Sequence, residues 1–315
     1  MVKVARAFVA AAGVLALAVS ALCGPVLAGP AVAATPNAAT PGGGAGTNVL
    51  AVPVRVAVTV DGDVGYRELG SGPPLLLIMG LGGTMDNWSP SFVDALAAKH
   101  KVVVFDNAGV GETAAISPPL TIAGMADQTN ALISALHLGP TYVLGWSMGG
   151  MIAQALAVLH PSQVSRLVLA ATQAGTGKAV PPSAAAAAAV NSDSPSVVLS
   201  VLFPASASAL AQRYAFSVLR YPEFYTVPPN VKVEQGTAID KWFAGSDAAG
   251  REVASVKVPT LVADGTEDAL DPVSNDRQLA GLIKGAQLEL YAGAGHAFWF
   301  QDESEFVARL GTFLG

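Results

Sequence analysis

From Val52 onward, continuous apolar runs alternate with segments in which apolar residues recur every three or four positions. The runs "PLLLIM", "KVVVFD", "TYVLGW", "VSRLVLAA", "PTLVAD" and "AQLELY" are short, rich in Val and Leu and bounded by turn residues, as in strands buried on both faces. Between them lie helical patterns: "SPSFVDALAAKH", "TIAGMADQTNALISALHL", the segment after Ser147, "PVSNDRQLAGLIKG" and "ESEFVARLGTFL". Ser89 followed by Pro90 marks the first of these as a capped helix start. Before them, "VPVRVAVTV" and "VGYREL" form a hairpin pattern around Asp61-Gly62. Alternation of this kind predicts an α/β fold, a mostly parallel sheet with helices on both faces.

The alternation fails from about 172 to 256, where no clear strand occurs and "SAAAAAAV" and scattered aromatics replace it. Those aromatics are Phe203, Tyr214, Phe216, Tyr221, Phe224, Tyr225, Trp242 and Phe243. So long an excursion between two core strands predicts a helical cap, with most of its aromatics serving as cap core.

The N-terminus follows different rules. Lys3 and Arg6 precede an apolar run from Phe8 to Leu22, and small residues follow in "GPAVAATP". No charge occurs from Ala7 to Val54. This pattern predicts a signal peptide over 1–34, cut near Ala33 or Ala34, and a flexible linker over 35–51. Gly24 and Pro25 cut the apolar run short of a membrane span. Cys23, the only cysteine, follows Leu22 rather than the small residue a lipid-anchored cysteine needs. The expected product is an exported domain over 52–315 without a stable membrane span, secreted or held in the cell envelope.

Charge narrows the partners. Of 315 residues 52% are hydrophobic, and the net charge is −6. Without Lys3 and Arg6, 15 basic residues face 23 acidic ones. Such a balance disfavours nucleic acid, which is bound through basic stripes, and leaves a small molecule as the expected partner. The histidines are dispersed and no metal-binding pattern occurs, so neither a metal nor a cofactor is expected.

Chemistry concentrates at "Gly145-Trp146-Ser147-Met148-Gly149", a G-x-S-x-G match. Chance alone supplies roughly 0.2 such matches in a chain of this composition. The setting carries more weight: a strand precedes, a helix follows, and the turn falls at the carboxyl edge of a parallel sheet, where ligands bind. An immediate strand-to-helix reversal strains the middle residue and lifts its hydroxyl above the sheet. The competing role for Ser147 is a plain helix N-cap.

A hydroxyl needs a base. His100, His137 and His160 each close a helix and are expected to face solvent. His296 lies in "YAGAGHAFWF", a glycine-bearing loop after the last strand, and is the expected base. The orienting acid comes from "VADGTEDALDPV". Asp268, at the loop apex, is preferred over Asp264, which ends the strand, over Glu267, and over Asp271, which before Pro272 fits a helix N-cap.

With "GWSMGG", "DGTED", "GAGH" and "FDNAGVGET" in this order, the chain from about Val54 to Gly315 resembles the α/β-hydrolase fold family. The resemblance implies the cap inserted before the strand that carries the catalytic acid. It also implies an oxyanion hole made by the backbone N–H groups of Leu81 and Met148. Two positions depart from the family's habit: Met79 replaces a histidine before the strap glycine, and Ala108 an arginine in "DNAGVG".

The expected activity is that of a secreted serine hydrolase cleaving a small or medium apolar ester through Ser147, His296 and Asp268. Other chemistries of the fold compete: hydrolysis of a carbon–carbon bond or a lactone, and perhydrolase or haloperoxidase-like reactions. A non-catalytic ligand-binding protein is a further competitor. So is a dinucleotide site in which Asp106 would hold ribose, although Met85 occupies the place of that fingerprint's third glycine. "AFWF" after His296 is expected to pack in the core rather than wall an acyl pocket.

Overall fold

The computed structural model describes residues 48–223 and 225–315. The proposed signal peptide, the linker up to residue 47 and Phe224 lie outside the described residues. The last linker residues belong to the folded body. Val49 is buried in a short turn capped by Asn48, and its N–H donates to Asp94 Oδ1 at 2.7 Å.

Among the described residues eight strands form one sheet: β1 (Arg55–Ala57), β2 (Val64–Leu69), β3 (Pro74–Ile78), β4 (Lys101–Phe105), β5 (Thr141–Trp146), β6 (Val164–Ala170), β7 (Thr260–Gly265) and β8 (Gln287–Tyr291). Their order is β1-β2-β4-β3-β5-β6-β7-β8. β1 and β2 pair antiparallel, as do β2 and β4; β4, β3 and β5 to β8 run parallel. The predicted hairpin is therefore present, but β1 is short, because Val58 and Val60 are 80% and 95% exposed and find no core face.

Helices α1 (Pro90–Ala97), α2 (Ile122–Ala135), α3 (Met148–Leu159), α9 (Ser274–Leu282) and α11 (Glu303–Leu314) cover the sheet, with the short α10 (Phe298–Gln301) before the last. The period-two alternation of strand side chains divides the interior into two cores. Leu75, Leu77, Val102, Val104 and Leu144 pack with Phe92 of α1 and Phe306 of α11. Leu76, Val103, Val143 and Leu169 pack with Ile133 of α2, Ile152 of α3 and Leu279 of α9. Each fully buried Leu or Phe contributes roughly 2–3 kcal/mol. Ser89 caps α1 by accepting the Phe92 N–H at 3.3 Å, with Pro90 in the first turn.

Between β6 and β7 lie the helices of the cap, among the described residues α4 (Ala184–Val190), α5 (Pro195–Leu202), α6 (Ser208–Val218), α7 (Pro229–Phe243) and α8 (Ala248–Arg251). Phe203, Tyr214, Tyr221 and Trp242 are buried, whereas Phe216 is 71% exposed. Two tyrosines fasten the cap to the body: Tyr214 Oη donates to the Asn87 carbonyl at 2.9 Å and Tyr221 Oη to the Trp88 carbonyl at 3.0 Å. The "AFWF" segment is core: Trp299 lies 4.9 Å from Trp88 and 5.6 Å from Trp146 between ring centroids.

Candidate active site

Ser147 stands between β5 and α3 with φ 58° and ψ −121°, a conformation that costs an L-residue on the order of 1–3 kcal/mol. The surroundings enforce it. A Cβ on Gly145 would lie 2.2 Å from the Gly149 carbonyl oxygen, and one on Gly149 would lie 2.0 Å from that of Ile78. Strand and helix thus approach closer than any side chain permits. The Ser147 N–H donates to the Ala170 carbonyl at 2.9 Å, and its own carbonyl accepts from Gly150 N–H at 2.9 Å and Thr172 Oγ1 at 2.8 Å. Its side chain caps nothing, which removes the N-cap role, and it faces a cavity of about 410 Å³ beneath the cap.

His296 reaches the same cavity from the loop after β8 and is 3% exposed. Its Nδ1 lies 2.6 Å from Asp268 Oδ2. With Nδ1–H donated to that carboxylate, Nε2 is left as the acceptor. The ring packs 5.3 Å from that of Trp146, whose Nε1 donates to the His296 carbonyl at 2.9 Å. Asp268 Oδ1 accepts the backbone N–H groups of Leu270 at 2.6 Å and Asp271 at 2.9 Å. Both its oxygens are therefore occupied, one by the imidazole and one by its own loop.

The segment 80–84, between β3 and α1, forms a strap over Ser147; a Cβ on Gly80 would lie 3.1 Å from Ser147 Cβ. Leu81 lines the cavity. Met148 opens α3, so its N–H has no intrahelical acceptor. The strap is held from three sides. Asn107 Nδ2 donates to the Met79 carbonyl at 2.9 Å, Asp106 Oδ1 accepts the Met85 N–H at 2.7 Å, and Gln235 of the cap accepts the Gly82 N–H on Oε1 at 2.9 Å. Asp106 is thereby buried against backbone rather than open to a ribose, and burial raises its pKa to about 7. Just beyond, Arg67 and Asp86 form a buried ion pair at 3.1 Å, with the guanidinium also donating to the Val52 carbonyl.

Two expectations are corrected. His100 does not face solvent: it is 3% exposed, sits edge-on to Tyr142 at 5.8 Å, and burial lowers its pKa. His137 is exposed, and His160 pairs with Asp127 at 2.7 Å. Asp271 does not cap α9, which begins at Ser274 after Val273. Its Oδ1 instead accepts from Asn275 Nδ2 at 2.7 Å, and its side chain borders the cavity. Of the other acid candidates, Glu267 is exposed, and Asp264 accepts its neighbour Gly265 N–H at 2.7 Å.

Behind the site, Asp264, Asp271 and Asp276 gather buried carboxylates with oxygens within 4.8 Å of one another. Among the described residues these are the side chains placed closely enough to share a cation. Burial raises all three pKa values, to about 7 for Asp271 and about 9 for Asp276, and repulsion from Asp268 adds to the rise in each.

The model of the alpha/beta hydrolase fold family matches residues 73–303. The chain belongs to that family. A poly(3-hydroxyalkanoate) depolymerase of Ectopseudomonas oleovorans is 31% identical over 235 residues, 71% of this chain and 78% of that protein. Among solved structures, an alpha/beta hydrolase fold protein from Chitinophaga pinensis superposes with a TM-score of 0.74 at 24% identity, covering 85% of this chain and 99% of its own. One described as an N-acyl homoserine lactone degrading enzyme gives 0.67 at 26% identity, covering 82% and 100%.

Sequence reasoning missed four residues of the site. Thr172 and Gln173 follow β6 at the carboxyl edge, a position that could have flagged them. Gln235 and its helix neighbour Lys232 lie in a segment with no periodic apolar signal.

Proposed function

We propose that the protein is an exported serine hydrolase that cleaves esters of small to medium size with a mainly apolar body. The supporting observation is the 2.6 Å contact of His296 Nδ1 with Asp268, together with the opening of Ser147 and His296 into one cavity. Ser147 Oγ attacks the carbonyl carbon while His296 Nε2 takes its proton. The Leu81 and Met148 N–H groups stabilise the oxyanion, each contributing on the order of 3 kcal/mol. As the tetrahedral intermediate collapses, the proton passes from His296 to the departing alkoxide, leaving an acyl-enzyme. Water, deprotonated by His296, then releases the acid and restores Ser147. Asp268 holds the imidazole in the right tautomer throughout and keeps its negative charge.

The ester preference draws on the largely apolar cavity wall, with Met79, Met151, Val198, Leu199 and Ile239 among its residues. The lactone-degrading structural relative favours cyclic esters as a second substrate type, since a lactone passes through the same acyl-enzyme. Export rests on the pattern of Lys3, Arg6 and the apolar run to Leu22; a mature N-terminus near residue 34 in culture medium or envelope fractions tests it. For the chemistry, a fluorophosphonate probe should label Ser147. 4-Nitrophenyl esters of increasing acyl length should be hydrolysed, and Ser147→Ala should lower kcat by on the order of 10⁶-fold. Near-full activity in a freshly prepared Ser147→Ala sample would end the reading.

A further inference from the structure

We propose that Lys232 is a specificity-determining residue whose ammonium receives a carboxylate carried by the ester substrate. Among the described residues it is the only lysine or arginine lining the cavity, which it enters from cap helix α7. Its stem lies on the strap. A Cβ on Gly82 would meet Lys232 Cε at 3.2 Å and Cδ at 3.4 Å, one residue from the Leu81 N–H. The stem thus crosses the strap next to Leu81, the residue assigned to the oxyanion hole. Helix spacing fixes it there, because Gln235, one turn on, anchors the same Gly82 through its N–H.

The position is costly for a cation without an anionic partner. Lys232 is half-buried, and burial lowers its pKa. It takes part in none of the ion pairs among the described residues. Asp193, on the cavity wall, partly offsets that shift but forms no ion pair with Lys232. Asp271, the other acid on the wall, is held by Asn275. An incoming carboxylate would supply the contacting counter-charge that Asp193 does not, and a charge-assisted contact in a shielded site is stronger than one in water. The substrate class is thus an ester or lactone with an apolar body and one carboxylate a few bonds from the scissile carbonyl. Lysine at this place discriminates against the neutral analogue, which leaves the ammonium desolvated and unpaired.

This inference rests on the hydrolase reading above, and its test separates the two. The 4-nitrophenyl monoesters of glutaric and adipic acid are compared with 4-nitrophenyl valerate and hexanoate, in the wild type and in Lys232→Met, which keeps a stem to cover Gly82. The wild type is expected to favour the charged member of each pair in kcat/KM. In Lys232→Met the charged-to-neutral ratio should fall by about 30-fold, the effect of one charge-assisted hydrogen bond. Raising the ionic strength should lower the same ratio in the wild type. Equal losses on both substrates would assign Lys232 to the oxyanion and overturn the proposal, as would an unchanged ratio. If neither ester is hydrolysed and Ser147 takes no probe, the hydrolase reading itself fails.

Discussion

The backbone N–H of Asp271 donates to Oδ1 of Asp268 at 2.9 Å, while Oδ2 of the same carboxylate lies 2.6 Å from His296 Nδ1. The two acids thus meet through the main chain of one and the side chain of the other. Only Asp268 is placed to orient the imidazole, although both are buried beside it. Asp268→Asn should therefore lower kcat on a 4-nitrophenyl ester by about 10⁴-fold, because an amide favours the wrong tautomer. Asp271→Asn keeps the backbone donor and should cost about tenfold or less. Steady-state kinetics on both variants decides; a larger loss at position 271 would reassign the acid.

Buried carboxylates at the strap and behind the site make stability depend on pH in an unusual direction. Asp106 and Asp271 are raised to about 7 and Asp276 to about 9, all from 3.8, chiefly by burial. Between those limits the folded state binds more protons than the unfolded chain. Stability is then fully present below about pH 4 as far as these groups are concerned, and falls as pH rises toward 7 and 9. Urea midpoints should decline from pH 5 to pH 9. Asp276→Asn, which cannot ionise, should flatten the upper part of that decline; a midpoint that climbs across this range would contradict the assignment.

Gln235 offers a test of the cap as part of the machinery. Its Oε1 is the acceptor for Gly82 N–H, and 153 residues of chain separate the two. Gln235→Ala leaves a strap N–H without its acceptor and frees the loop that carries Leu81. A fall of about tenfold in kcat is expected, since an unmade bond of this kind costs about 1–3 kcal/mol. KM should move by less than about threefold. The melting temperature of the variant, measured alongside, separates loss of the strap from loss of the fold.

Much of this site could be read from the chain because its signals are local. The strand, the sharp turn at Ser147 and the helix lie within one window, and His296 and Asp268 occupy loops directly after strands. What stayed hidden depends on contacts distant in sequence. His100 ends a helix as expected, yet Tyr142 and the body of the sheet enclose it. Asp271 precedes a proline, yet Asn275 captures its carboxyl before a backbone N–H can. Lys232 and Gln235 sit on a polar-looking helix whose importance exists only against Gly82. The long apolar run at Val52–Val60 predicted a longer strand than forms, because pairing with β2 ends at Ala57.

A pair of glycine substitutions tests whether close approach, rather than helix propensity, governs the elbow. Gly149 and Gly281 both lie in helices, α3 and α9. A methyl on Gly149 would lie 2.0 Å from the Ile78 carbonyl oxygen and 2.9 Å from that of Met79, so backbone must move. Both contacts lie at the end of β3 and on the residue leading into the strap that carries Leu81. Gly149→Ala should therefore destabilise by about 3 kcal/mol or leave no soluble protein, with activity lost even in any fraction that folds. Around Gly281 nothing lies within 4 Å of the added carbon. There alanine only restricts the unfolded chain and favours the helix, and Gly281→Ala should stabilise by about 0.5–1 kcal/mol. Denaturant titrations of the two variants supply the comparison, and equal effects of the same sign would sink the close-approach account of the turn at Ser147.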